Sequence, residues 1–249
     1  MKIPISKRFI VAGIDQSLTG TGVAVLVVEY PGLTVMEQTT IKSELKGYAR
    51  LEEILLQIKD LVTNSAHAGQ YGADLVAVED YTRMASSASL CALIELCACI
   101  KLDLTRLGLY PEIQNQSSMK KFAFGYGGTQ KDSSYLLKVF DATGLRFVDD
   151  NAADAYLHAW MLAERVWALR GEKLLSMFNT PQREVLMAGP KKEFNLSDAK
   201  LKKLGEVEQL KLLCQYHGVP FPAQPGGTFS AELHGDDCLL DPVVADKQP

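Results

Sequence analysis

The stretch Val11-Ala-Gly-Ile-Asp-Gln-Ser-Leu-Thr-Gly-Thr-Gly-Val-Ala-Val-Leu26 constrains the fold more than any other. Two apolar runs flank a short polar segment holding two glycines, the pattern of a strand, a tight connection and a returning strand. Asp15 stands at the mouth of the first strand, where aspartate is a poor strand former. A cap, an Asx-turn hydrogen bond or a metal ion would each account for it.

The periodicity predicts strands over Phe9–Asp15, Thr21–Glu29 and Thr34–Ile41, then a helix over Gly47–Ala66 with Leu51, Ile54, Leu55, Ile58, Leu61 and Val62 at helical spacing. Asp74–Glu79 is a short apolar run ending in an acid, as a buried parallel strand would be. A helix over Ser86–Leu107, a strand over Tyr110–Gln114, helical segments over Ser117–Phe122 and Lys131–Thr143, and a helix over Asn151–Arg170 complete the order. Strands and helices in that order predict an α/β fold: a mixed sheet covered by helices. Past Gly171 the character changes, to one amphipathic helix over Asn195–Tyr216 opened by Ser197 and an irregular Pro/Gly-rich segment over Gly218–Pro249. The expected division is a domain over 1–172 and an extension over 173–249.

At 249 residues and 47% apolar composition, the chain has room for one large domain plus such an extension. No apolar run approaches the roughly 18 residues of a membrane span. The first apolar run follows Lys2, Lys7 and Arg8 but is short and broken by Asp15, unlike a secretory leader. Five cysteines without a C-x-x-C pair predict reduced, buried thiols and a cytoplasmic setting.

Charge is uneven. Val219–Pro249 holds five acids against Lys247, whereas Ser117–Lys138 holds Lys120, Lys121, Lys131 and Lys138 against Asp132 alone. A local cationic stripe is what phosphate binding requires, and a net charge of −4 does not exclude it.

Asp15 has companions. Glu79 also ends an apolar strand, and Asp149-Asp150-Asn151-Ala152-Ala153-Asp154 opens the last long helix. There Asp150 and Asp154 are i and i+4, and Asn151 and Asp154 are i and i+3, so either pair shares a face. Acids at a helix start complement its dipole, which accounts for Asp149 and Asp150 but less for Asp154, a full turn in. Converging carboxylates repel unless a cation binds, and hard oxygen donors favour Mg²⁺ or Mn²⁺. Two such ions about 4 Å apart suit phosphodiester hydrolysis.

Four blocks, Gly13–Gly22, Val76-Ala-Val-Glu-Asp80, Lys120–Lys131 and Asp150-Asn-Ala-Ala-Asp-Ala155, together resemble the RuvC family of Holliday-junction resolvases over roughly residues 8–170. The resemblance implies an RNase H-like mixed five-stranded sheet flanked by helices, a homodimer, and Mg²⁺-dependent nicking of four-way DNA junctions. By position, Asp15, Glu79 and Asp154 match metal-binding carboxylates, and Lys131 a lysine near the active site. Lys120 or Lys121 matches a DNA-backbone contact. The remaining family ligand falls on Asn151, a departure; either its amide oxygen serves or Asp150 turns in, and a carboxylate offsets more metal charge. Tyr81, Arg83 and Met84 follow Glu79 and would form a DNA-facing loop beside the metals. His158, four residues after Asp154, either approaches the metals or is a satisfied helix histidine.

Three other readings compete. One is a nuclease of the same fold acting on flaps, forks or RNA–DNA hybrids; another is a junction-binding protein that does not cut. A sugar-kinase or actin-like ATPase would need a second phosphate hairpin and an adenosine-binding glycine pair, and neither is in the sequence. The helix over Ser86–Leu107 is apolar nearly all the way round, interrupted only by Glu95, Lys101, Asp103 and Arg106. Such a helix covers the sheet on one side and seeks a partner on the other, here a second copy of the chain. The C-terminally extended form suggests a phage or mobile element.

Overall fold

Alternation along β1 (Arg8–Asp15) decides the layering: Phe9 and Val11 enter one apolar cluster, while Ile10, Ala12 and Ile14 enter another on the opposite face. The protein is described here from a computed structural model, over residues 3–4, 6–63, 72–80, 87–128 and 132–222. β2 (Thr21–Glu29) pairs antiparallel with β1, and β3 (Gly32–Ile41) antiparallel with β2. On the other side, β4 (Leu75–Glu79) runs parallel to β1 and β5 (Glu112–Gln114) parallel to β4. The order β3-β2-β1-β4-β5 is the mixed five-stranded sheet expected from the sequence.

Helices cover both faces. Leu51, Ile54, Ile58 and Val62 of α1 (Gly47–Thr63) join Leu93, Leu96, Ile100 and Leu104 of α2 (Ser87–Arg106) against Ile10 and Ile14. On the other face lie α3 (Gln116–Phe124), α4 (Tyr135–Thr143) and α5 (Asp150–Leu169). Helix α5 sits so close to the sheet that only glycine fits beneath it. An added Cβ at Gly13 would lie 1.9 Å from the Ala155 carbonyl oxygen, and one at Gly22 would lie 2.0 Å from that of Asn151.

Over residues 173–222 the chain packs rather than trails. A 3-10 turn at Leu175–Met177 leads into α6 (Thr180–Glu193), started by an Asn179–Gln182 capping box with Pro181 in its first turn. That start signal was in the sequence, although no helix was expected there. The single helix expected over Asn195–Tyr216 is two, α7 (Asp198–Lys203) and α8 (Glu206–His217). Ser197 does cap the first, accepting from the Lys200 amide, but Gly205 favours a break. Gln209 stabilises that break by donating to the Leu201 and Leu204 carbonyls at 3.2 and 2.9 Å. Leu175, Phe178, Val185, Leu186, Met187, Leu213 and Cys214 are buried in the same cluster as α5. Truncating any one of these large side chains to alanine would cost about 2–5 kcal/mol.

No helix among the described residues is long and apolar enough to cross a membrane. Their four cysteines, Cys91, Cys97, Cys99 and Cys214, are free thiols, and burial pushes Cys214 up to about 11.

Candidate active site

The β1–β4 pairing aligns Val11 with Leu75 and Ile14 with Val78, so the next step places Asp15 beside Glu79 at one edge of the sheet. Because side chains alternate, both carboxylates share the face of Val11 and Ala77, the one α5 covers. Asp15 is 4% exposed and Glu79 partly buried. Gln16, also buried, ties the two strand ends by donating to the Glu79 carbonyl at 2.9 Å.

Across from them, the first turns of α5 sort the acidic cluster by role. Asp149 is the helix cap: its Oδ1 accepts from the Ala152 amide at 3.0 Å and from Thr40 Oγ1 at 2.6 Å. Asn151 lies over the hairpin, its carbonyl on Gly22 and its Nδ2 against Gly20. Asp154 is fully buried; Tyr135 donates its hydroxyl to one carboxylate oxygen and Gln116 Nε2 lies 3.4 Å from the other.

The Tyr135 hydroxyl that bonds Asp154 stays protonated. Burial, and after it the negative charges of Asp154, Asp15 and Asp150, hold this phenol protonated well above its ordinary range. It is therefore a neutral donor to the Asp154 carboxylate. Lys120 adds a cation: it is 5% exposed, and its Nζ lies 5.3 Å from the Tyr135 ring centroid.

The other expected residues scatter. Lys121 points away from this group to an ion pair with Glu184 of α6 at 2.6 Å. His158 is buried and shares a 2.9 Å hydrogen bond between its Nδ1 and Gln114 Oε1. Tyr81, Arg83, Met84, Lys131 and the acidic tail lie outside the described residues. Sequence reasoning missed Tyr135 and Gln116. Tyr135 begins α4, directly after the lysine-bearing glycine loop, and Gln116 begins α3, directly after the Asn115 cap. Only those positions next to a helix start were available as a signal.

The donor set is all oxygen, so its chemistry fits a hard divalent cation. Among the described residues, however, no three His, Cys, Asp or Glu side chains already stand in a metal-holding cluster. Tyr135 and Gln116 engage Asp154 instead, so loading a cation would require the carboxylates to be drawn together.

Two solved structures share this arrangement of strands and helices. That of Thermus thermophilus RuvC superposes with a TM-score of 0.50, covering 65% of this chain and 96% of that one at 21% identity. T. thermophilus RuvC in complex with a Holliday junction substrate gives 0.51, covering 64% of this chain and 94% of that one at 19% identity. No protein-family model matches the chain, and no curated protein sequence matches it. At these identities the likeness establishes the fold: an RNase H-like α/β sheet with helices on both faces.

Proposed function

We propose that this chain is a divalent-metal-dependent endonuclease that nicks four-way DNA junctions. The observation that carries the reading is Asp15 set beside Glu79 at the sheet edge of a RuvC-like fold, on the face covered by the helix that carries the buried Asp154. The junction bound in the T. thermophilus complex supports the choice of substrate.

Asp15, Glu79, Asp154 and Asp150 would hold Mg²⁺ or Mn²⁺. Asp150 is preferred to Asn151 because its charge reaches the Tyr135 hydroxyl, whereas the Asn151 amide rests against Gly20. The bound cation supplies Lewis acidity at the phosphate and an activated water. Tyr135 and Gln116 orient Asp154, and Lys120 sets a fixed positive charge where the phosphate would gain negative charge. Lys131 acts at the scissile phosphate, and Tyr81 and Arg83 at the junction beside Glu79. The nuclease machinery lies within 1–172. A homodimer paired through α2 would set two such sites against the two strands of a symmetric junction.

The test is cleavage of a mobile four-way junction, with a Y-fork, a flap and an RNA–DNA hybrid alongside, in Mg²⁺ and in Mn²⁺. Asp15→Asn, Glu79→Gln and Asp154→Asn should each abolish cutting, at least about 10²-fold, while junction binding persists. Of Asp150→Asn and Asn151→Ala, the first should be the damaging one. Wild-type turnover in any of the three acid variants removes that residue from the site. Faster cutting of a flap or hybrid than of the junction would assign the other nuclease activity, and binding without cutting the non-cleaving reading.

A further inference from the structure

Lys121 leaves the active-site side of α3 and enters a different environment. A groove of about 570 Å³ opens between α3, α6 and α7, lined by Lys121, Glu184, Lys191, Lys192, Asn195 and Asp198 among others. Lys121 meets Glu184 there at 2.6 Å, and Lys191 meets Asp198. The Asp198 carboxyl is held below its ordinary range by Lys191 first and then by Lys202 and Lys121, so lysines from three helices bear on one acid. Lys192 is exposed in the groove's lining, and Lys200, Lys202 and Lys203 are exposed along α7, the helix whose Asp198 lines it.

Residues 184–203 hold five lysines against three acids, and Lys121 raises the local excess to +3 in a chain whose net charge is −4. Lysines in the last turns of α6 and α7 complement those helix dipoles. Dipole compensation does not require the two helix ends and Lys121 to meet at one groove. Distance along α3 sets the direction: Gln116 touches Asp154, and Lys121, five residues on, is about 7.5 Å farther along the helix axis. Duplex DNA carries a charge every ~1.7 Å of its axis, so an arm leaving the site along α3 would bring several phosphates to the groove.

Building on the junction-nuclease reading, we propose that this groove is a second DNA-contacting surface, contributed largely by the C-terminal extension, that takes the phosphate backbone of one duplex arm. Lys192, Lys200, Lys202 and Lys203 contact the phosphates, which displace Glu184 and Asp198 from Lys121 and Lys191. The two acids thus compete with the phosphates for Lys121 and Lys191.

The full chain tests this through fluorescence anisotropy of a labelled four-way junction and of a matched duplex across a KCl series. The triple variant Lys200→Ala, Lys202→Ala, Lys203→Ala should flatten the slope of log Kd against log salt by about two to three, since each lost phosphate contact removes about 0.9. Glu184→Gln with Asp198→Asn should tighten binding several-fold at low salt, an opposite sign that misfolding would not produce. All five side chains are exposed, so melting temperatures should match the wild type. A folded triple variant with the wild-type slope overturns the groove, whether or not the protein cuts. A wild type that binds with a steep slope, loses that slope in the triple variant and cuts nothing supports the groove while removing the nuclease reading. A wild type that binds no DNA removes both.

Discussion

Helices α2 and α5 are both apolar around most of their circumference, yet the fold treats them differently. Along α5 even Asp154 and His158 are buried, with strands beneath, α3 and α4 beside, and α6 and α8 behind. Helix α2 buries Leu93, Leu96, Ile100 and Leu104 but leaves Ile94 37% and Leu102 51% exposed, with Cys91 exposed between turns. All-round apolarity therefore has two different outcomes. One helix is enclosed by its own chain. The other keeps an apolar strip exposed.

The sharpest way to break this comparison is to lift α5 off its strands. Gly13→Ala places a methyl against the Ala155 backbone, which cannot give way as a side chain tip can. It should destabilise the protein by about 3 kcal/mol or more, at the top of the overpacking range. Urea midpoints with an unchanged m-value would measure this, and a loss under 1 kcal/mol would mean the helix can ride higher.

On α2 the expected effect is on assembly rather than on folding. Ile94→Glu with Leu102→Glu should shift the proposed dimer to monomer in light scattering at micromolar concentration while leaving the melting temperature of the monomer nearly unchanged. A wild type that is itself monomeric would show that this strip meets no second copy. A large loss of monomer stability would show instead that the strip is packed within its own chain.

The smallest effect concerns the far end of the enclosure. Burial, with help from Arg165 and against the pull of Glu112, lowers His217 at the end of α8 to about 4. An unfolded histidine titrates near 6.5, so between those values the unfolded chain binds the extra proton. Stability from this group is fully present above about pH 6.5 and falls as pH drops toward 4. His217→Gln should flatten that slope in denaturant titrations across pH 4–7; an unchanged slope would place the loss in other groups.

How much of this was legible in the sequence follows from the range of the forces involved. The β1–β2 hairpin, Glu79 ending β4 and the acids opening α5 were readable because each depends on local patterning. The meeting of Asp15 and Glu79 at one edge followed from strand direction once β4 was taken as a parallel strand. Tyr135 was not readable: its role comes from packing across α3, α4 and α5, and a tyrosine at a helix start carries no periodic mark. Lys120 and Lys121 are adjacent and looked alike, yet neighbouring residues lie on different sides of a helix. One is buried beside Tyr135, and the other pairs with α6. The extension was misjudged for a similar reason, since Val185, Leu186, Met187 and Leu213 look unremarkable until α3 and α5 are placed against them.

The glycine seats at Gly13 and Gly22 have a further consequence. Where α5 crosses them, main chain rests on main chain with no side chain between. Backbone thickness, unlike a layer of leucines and valines, has no alternative rotamers and cannot be respaced by a conservative substitution. The gap between Asp15 on the strand and Asp154 on the helix is thereby indexed to a fixed stop. Sequence drift in the surrounding core can make the protein more or less durable, but it has no means of retuning that gap. Changes confined to α6, α7 and α8 would leave that stop where it is.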